Sequence, residues 1–399
     1  MGLLLNPLKF TKLSKNRQEK IDAAEAKPVK QLGDYLPNRI AKALHPEVQH
    51  VVISEIVEHS PDVKSFFFAP DKELGTESLA YFSAGQYLTI RLNVGKAKIS
   101  RPYSLSSSPK ESTEGKYTLT IKRDKDGLAS NYVLDNWKVG DKVTVSAPEG
   151  VFTYEPLRDA STVIGLAGGS GITPFLSLAK AIADGDEDAN LVLLYGSRTA
   201  DDILFKAEFD ALEQKCDKIK VVHVLSGEEK EGFEHGFITA DLIKKYAPEG
   251  EYSIFICGPQ VMYDFVDKEI ATLGLRRKFV RHEVFGEYRN PARNEDYPKD
   301  VADEFSLTVK IRGEETTIKC SANETILNAL EHAGVNAPAR CRSGICGYCH
   351  SRLVSGEVYV PKSVDGRRMA DLDYGYIHPC CTFPISDLVI DVPPETTRI

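Results

Sequence analysis

The 399-residue sequence has no run of about 18 apolar residues, so it offers no candidate membrane-spanning helix. It lacks the pattern of an export signal. MGLLLNPLKF has only three consecutive leucines, and its basic residues follow that apolar stretch instead of preceding it. Met1-Gly2 opens like a myristoylation site, but Asn6 stands where Ser or Thr is needed. There is no basic excess: the formal net charge is −8, which argues against a nucleic-acid binder. No internal repeat and no low-complexity run appears. What remains is an ordinary globular composition, 42% apolar and 27% charged. A cytoplasmic protein of about two to four domains is expected. Eight cysteines could pair into four disulfides, yet the chain is large enough to bury a core and its thiols cluster. Clustered thiols in such a setting point to metal.

Five segments follow from the pattern of apolar residues. Residues 1–47 carry nine Lys/Arg against five Asp/Glu, with Leu, Ile and Ala between them, broken by Asp34-Tyr35-Leu36-Pro37. This predicts a partly helical extension, packed on the surface or docking on a partner protein or an anionic membrane surface. Residues 48–155 contain HVVISEIVEH, VKSFFFAP, QYLTIRLN, YTLTIKR and KVTVSAP, short β-type runs that predict a small antiparallel barrel. Residues 156–286 alternate strands (STVIGLAGG, ANLVLLYGSR, KVVHVLS, YSIFICGP) with helices (TPFLSLAKAIAD, DDILFKAEFDALEQK, TADLIKKYA, PQVMYDFVDKEIATLG), which predicts an α/β domain with a parallel sheet. Residues 287–304 are polar, charged and proline-containing, and read as a linker. In 305–399, FSLTVKIRGEETTIKC reads as a hairpin turning at Arg312-Gly313, TILNALEHAG as a helix ending at Gly334, and DLVIDVP as a last strand.

Three motifs carry chemistry. The first is Cys341-x4-Cys346-x2-Cys349, with Cys380 thirty-one positions on and Cys381 beside it. That spacing is the plant-type [2Fe–2S] pattern, in which four thiolates hold two irons. Ser343, Gly344 and Gly347 are small where the loop must wrap. A structural zinc site is the alternative, but zinc favours paired CxxC or Cys/His spacings. Three thiols need a fourth, and the spacing alone leaves Cys380 and Cys381 both open. His350 reads as a surface residue, and Cys216 and Cys320 as buried apolar residues.

The second motif is Arg101-Pro102-Tyr103-Ser104. A flavin requires a cation for its phosphate, an aromatic wall for its ring and a hydrogen bond near N5; Arg101, Tyr103 and Ser104 offer these at alternating strand positions. Further on, Gly127-Leu128-Ala129-Ser130 runs into a helix start, where free N–H groups favour a pyrophosphate. The third motif is VIGLAGGSGITP, a strand ending in glycines before a helix, which lets the backbone approach a dinucleotide pyrophosphate. It is not the Rossmann GxGxxG. Ser197-Arg198 follows a strand where a 2′-phosphate would sit, and Arg suits phosphate. Glu228 and Glu229 in the next loop would repel one, which leans the reading toward NADH.

Taken together, the chain resembles the ferredoxin–NADP⁺ reductase superfamily, and residues 305–393 resemble plant-type ferredoxins. The resemblance covers about 350 residues and implies three domains: a FAD-binding barrel, an NAD(P)H-binding α/β domain and an α+β β-grasp ferredoxin domain. Arg-x-Tyr-Ser matches the family's first flavin signature. Lys122-Arg123 with Gly127, Ala129 and Ser130 matches the second, and implies FAD, with FMN as the alternative. Gly168, Gly169, Gly171, Thr173 and Pro174 match its GGxGxTP. By the same resemblance Cys257, in Cys257-Gly258-Pro259, lies near the hydride-donating nicotinamide carbon, and Glu283 and Phe285 lie beside the flavin. Pro384 selects Cys380 as the fourth cluster ligand, leaving Cys381 a neighbour.

The resemblance implies an electron-transfer reductase, like the reductase components of bacterial multicomponent oxygenases. It would take a hydride from NAD(P)H onto FAD and export single electrons through the cluster to an acceptor protein. Two other functions stay open on the sequence: a self-contained reductase of a quinone or nitro compound, and a redox sensor.

Overall fold

The computed structural model describes residues 15–23, 35–284, 286 and 288–394. The chain divides into two compact units, Met1–Pro46 and Glu47–Ile399. In the first, residues 15–23 are helical, and a second helix spans Leu36–Leu44. Leu36, Ile40 and Leu44 share one stripe of that helix and are exposed. Among the described residues no helix is long and apolar enough to cross a membrane.

The second unit holds three sheets. The first is built from β1 (Val48–Ser60), β2 (Val63–Pro70), β3 (Tyr87–Val94), β4 (Ala97–Ser104), β5 (Tyr117–Lys122) and β6 (Lys142–Ser146). Their order is β4-β3-β6-β1-β2-β5, all antiparallel. A bridge from Leu105 to Leu119 joins the two edges and closes the barrel. Phe66 and Phe68 are fully buried inside it, both edge-on to Trp137. Each such pair adds about 0.5–1.5 kcal/mol beyond area burial.

The second sheet contains β7 (Thr162–Gly168), β8 (Asn190–Ser197), β9 (Ile219–Leu225), β10 (Glu234–His235), β11 (Ser253–Cys257) and β12 (Val280–Glu283). It is wholly parallel, in the order β10-β9-β8-β7-β11-β12. Strands β7 and β11 are almost entirely buried, which is why they read as unbroken apolar runs. The helix expected over DDILFKAEFDALEQK is shorter than its pattern. It spans only Lys206–Lys215, because Phe205 takes a φ of 60° and breaks the α-helical path.

The third sheet joins β13 (Glu304–Ile311), β14 (Glu314–Ser321), β15 (Ser351–Ser355), β17 (Tyr376–Ile377) and β19 (Leu388–Asp391); β16 (Val358–Tyr359) and β18 (Phe383–Pro384) form a separate pair. The hairpin turns at Arg312 and Gly313, both at positive φ, as a two-residue primed turn requires. Thr325 caps the helix Ile326–His332 through its hydroxyl, and that helix crosses the sheet.

The polar stretch read as a linker is not a bare tether. Arg289 pairs with Asp124 of the barrel at 2.6 Å. Asn294 donates to the Tyr359 hydroxyl at 2.9 Å, that hydroxyl donates to Asp296 at 2.7 Å, and Tyr297 packs edge-on to Tyr359. Composition gave a correct reading of polarity here, but these partners lie 62 to 165 residues away in sequence and leave no local signal.

Candidate functional site

Strand β4 carries Arg101-Pro102-Tyr103-Ser104. Its alternation puts Arg101 and Tyr103 on one face, half-buried, while Pro102 and Ser104 are buried on the other, so the three proposed flavin groups do not all share a face. Ser104 sits opposite Tyr87 in the register. Burial pushes the Tyr103 phenol up to about 12, opposed by the nearby Arg101. Arg101 is engaged: its Nη1 donates to Glu331 Oε2 at 2.9 Å, in the third domain. Reading Arg101 only as a phosphate cation is therefore incomplete.

Lys122 is exposed at the end of β5 and points its amine at the glycine turn, 4.0 Å from where a Cβ on Gly169 would lie. Its neighbour Arg123 is committed to Asp62 and Asp135. The helix Leu128–Asn136 starts at Gly127, which has no side chain to cap it, leaving first-turn N–H groups for an external acceptor. A Cβ on Gly127 would meet Ser130 Oγ at 2.5 Å and Asp124 Cβ at 2.7 Å, so only glycine fits. Ser130 closes this loop by accepting from the Asp124 N–H; Ala129 is buried beneath it. This uncapped helix start fits a pyrophosphate.

The second glycine turn is made by close packing as much as by openness. A Cβ on Gly171 would lie 2.1 Å from the Cys257 carbonyl oxygen, and one on Gly168 2.6 Å from Met262 Sδ. Gly258 meets the same sulfur at 2.5 Å. Gly169 takes a φ of 52°, and its carbonyl accepts from the buried Tyr195 hydroxyl at 3.0 Å. Thr173 donates to the Ser170 carbonyl at 3.1 Å as the helix Thr173–Asp184 begins, again without a side-chain cap. Gly171→Ala is expected to destabilise the protein by about 1–3 kcal/mol through overpacking against backbone. A thermal melt checks this, and NAD(P)H reduction of the flavin should slow with it; an unchanged melting temperature would contradict it.

Cys257 and Glu283 are register partners on β11 and β12. Tyr263, which the sequence did not single out, ties their loops together. Its hydroxyl accepts from the Gly258 N–H at 3.1 Å and donates to the Glu283 carbonyl at 2.5 Å. Pro259 precedes the helix that carries Tyr263. Burial pushes the Glu283 carboxyl up to about 8, helped by Cys341, so it is mostly protonated at neutral pH and can donate a hydrogen bond. Burial and Glu283 together raise the Cys257 thiol. Phe285 lies outside the described residues.

Ser197 is buried at the end of β8 and Arg198 is exposed just after it. Glu228 reaches back to this turn and accepts from the Ala200 N–H at 2.6 Å, while Gly227 donates to the Arg198 carbonyl at 2.8 Å.

The four cysteines gather as two pairs. Cys349 and Cys380 bring their sulfurs to 3.4 Å. Cys341 Sγ accepts from the Cys346 N–H at 3.4 Å, and Cys346 Sγ from the Tyr348 N–H at 3.5 Å. A hydrogen bond from the Cys346 thiol holds Cys341 down to about 6, and one from Cys349 lowers Cys380. Among the described residues no three His, Cys, Asp or Glu side chains close around a single ion. Two pairs of thiols, each with one easily ionised member and with backbone N–H groups aimed at sulfur, fit a two-iron cluster with two thiolates per iron. Cys381 is buried, donates to the His378 carbonyl at 3.5 Å and packs where a Cβ on Gly344 would lie 2.8 Å from its sulfur.

His350 is not a plain surface residue. Its ring stacks on Tyr376 at 4.0 Å and its Nε2 lies 2.8 Å from Asp371. Cys320 is buried, and Cys216 is half-buried at a helix end.

These motifs converge. Burial raises the Tyr87 hydroxyl, and the charges of Cys341, Glu149, Cys346 and Glu283 add to the rise; Glu149 is also the bridge partner of Tyr87. Arg340, beside Cys341, pairs with Glu149 at 3.0 Å. The start of the cluster loop thus meets the barrel at Glu149, while Ile345 and Cys346 are exposed.

Comparison with known proteins follows the same division. Residues 50–154 match the oxidoreductase FAD-binding domain, 166–268 the oxidoreductase NAD-binding domain, and 309–385 the 2Fe-2S iron-sulfur cluster binding domain. The ferredoxin reductase component of 3-ketosteroid-9-alpha-monooxygenase from Rhodococcus rhodochrous is 32% identical over 84% of this chain and 94% of its own length. The glycine betaine monooxygenase reductase subunit of Pseudomonas aeruginosa is 30% identical over 84% and 93%. The solved structure of phthalate dioxygenase reductase superposes with a TM-score of 0.63 at 27% identity, covering 86% of this chain and 98% of that one.

Proposed function

This chain belongs to the family of three-domain reductases that join a FAD domain, an NAD(P)H domain and a plant-type [2Fe–2S] domain, and from that premise we propose that it is the reductase component of an oxygenase system. It is an NAD(P)H-dependent oxidoreductase that carries electrons to an acceptor protein. Bound FAD would supply an acceptor for one hydride, that is two electrons, and a bound [2Fe–2S] cluster a carrier of single electrons.

The single observation that carries the assignment of the site is the ion pair of Arg340, beside Cys341, with Glu149, the bridge partner of Tyr87, which brings the cluster loop onto the barrel. Around that point Tyr103 forms an aromatic wall, and Ser104, Cys257 and Glu283 face the place where nicotinamide meets flavin. Glu283 presents a protonated carboxyl there, and burial keeps water from competing with it. Arg101, Pro102, Lys122, Gly127, Ala129 and Ser130 form the flavin cradle. Gly168, Gly169, Gly171, Thr173, Ser197, Arg198, Gly258 and Pro259 form the nicotinamide dinucleotide cradle; Phe285 is assigned to the flavin site by its sequence motif alone. Cys341, Cys346, Cys349 and Cys380 hold the irons. The working divisions are 48–155, 156–286 and 305–399, with 287–304 between them, and the protein works in the cytoplasm.

Glu228 supports NADH as the donor. Its carboxylate sits at the turn after Ser197-Arg198, where a 2′-phosphate would be repelled and a ribose hydroxyl accepted. NADH is expected to exceed NADPH in kcat/KM by at least about tenfold, and Glu228→Ala to narrow that ratio by a similar factor, equivalent to about 1.4 kcal/mol. Steady-state kinetics with both donors checks this. The functional test itself is anaerobic: NADH should bleach the flavin and then the cluster, and adding an oxygenase component should reoxidise both. Failure of NADH to bleach the flavin would end the reductase reading.

A further inference from the structure

We propose that Glu331 is a positioning residue that seats the C-terminal domain on the flavin barrel and orders the cluster loop with the same carboxylate. The proposal rests on reading 341–349 as the cluster loop and Arg101 as part of the flavin cradle.

Glu331 lies on the helix Ile326–His332 and is 3% exposed. Its Oε1 accepts from the Ser100 N–H at 2.9 Å, the Ser100 hydroxyl at 3.0 Å and Arg342 Nη1 at 2.7 Å; its Oε2 accepts from Arg101 Nη1 at 2.9 Å. Three of these four donors come from β4 of the barrel and the fourth from the residue after Cys341. One buried carboxylate therefore joins the flavin motif to the cluster loop. A buried charge is tolerated only when paired and hydrogen-bonded, so each partner depends on the others.

Arg342 makes the dependence sharper. It is 2% exposed, sits at a φ of 58° that L-residues seldom adopt, and its other terminal nitrogen donates to Asn328. The loop conformation next to Cys341 is thus held by contacts with the helix that bears Glu331. The same two domains also meet through the ion pair of Arg340 with Glu149. A cleft of about 580 Å³, lined by Arg91, Lys98, Trp137, Lys142, Glu331 and Asn336, separates them on one side. Nearby, Gly334 approaches the Lys96 carbonyl so closely that a Cβ would lie 2.7 Å from it. Glu331 supplies three hydrogen bonds of this seat, and its fourth holds the cluster loop.

The test uses the holoenzyme with Glu331→Gln and Glu331→Asp. Stopped-flow absorbance separates flavin bleaching by NADH from the later reduction of the cluster. The expected result is flavin bleaching within about twofold of the unsubstituted protein, and cluster reduction slower by about tenfold or more, because small misplacements of redox partners are costly. Cluster content per chain should be unchanged. Hydrogen exchange on the cofactor-free chain should show lost protection at the Ser100 N–H and across 341–347. Equal slowing of both phases would overturn the proposal, since Glu331 would then act only through Arg101 on the flavin. Loss of the cluster itself, or no change in either phase, would also overturn it. If both variants fail to fold, Ser100→Ala removes one barrel-side donor while keeping both arginines. It should slow only the cluster phase, by a smaller factor, and no slowing there would be equally fatal. If the unsubstituted protein shows no flavin bleaching with NADH, the reductase reading fails instead.

Discussion

Cys380→Ser is expected to abolish the visible absorbance and the reduced-state paramagnetic signal of the iron–sulfur centre, while Cys381→Ser leaves both intact. The two residues are adjacent and both buried, so burial does not separate them. Geometry does. Cys380 places its sulfur 3.4 Å from Cys349, as one half of a two-plus-two thiol arrangement. Cys381 directs its thiol to the His378 carbonyl and fills the space beside Gly344. Removing a ligand leaves one iron with a single thiolate from this chain, which does not sustain a two-iron centre. Removing Cys381 costs packing, on the scale of about 1 kcal/mol for a small buried side chain. Retention of the spectrum in Cys380→Ser with its loss in Cys381→Ser would reverse the assignment.

Cys341→Ser is expected to split the activity. NADH reduction of a quinone-type two-electron dye should stay within about threefold, because none of the cradle residues is altered. Delivery to a single-electron protein acceptor should fall to background. Arg340, the residue before Cys341, pairs with Glu149 of the barrel, so Cys341 stands on the barrel side of the loop. Parallel loss of both activities would show that the cluster is not downstream of the flavin.

What the sequence disclosed depended on how local each determinant is. The cluster loop was legible because three cysteines and two glycines fall within nine residues and the chemistry dictates their spacing. The strands of the parallel sheet were legible as apolar runs, and Arg312-Gly313 as a turn, since these demands lie within a few residues. The glycines of the turn after β7 were legible as a motif, but part of their physical cause was not. Gly171 is required by the Cys257 carbonyl, 86 positions away, as well as by any ligand. Glu331 was read only as a helix residue, because its barrel partners lie 230 and 231 positions away. Tyr263 and Tyr195 carry no local signal, and only the fold shows their hydroxyls bracing the two nucleotide loops. The end of the helix pattern before Lys206 failed for a local reason, the left-handed Phe205, which composition does not announce.

The stretch 288–304 connects the second and third sheets, yet Arg289, Asn294, Asp296 and Tyr297 fasten it to the barrel and to Tyr359. A loose tether would give the cluster an effective concentration near the flavin set by the random walk of the chain, roughly millimolar for a short flexible linker. A fastened one replaces that search with a standing arrangement. The internal transfer then has the character of a unimolecular step, insensitive to solvent viscosity and to added residues at the connection. The search is displaced to the outer face of the cluster loop, where the acceptor arrives by diffusion and ionic strength sets the encounter rate.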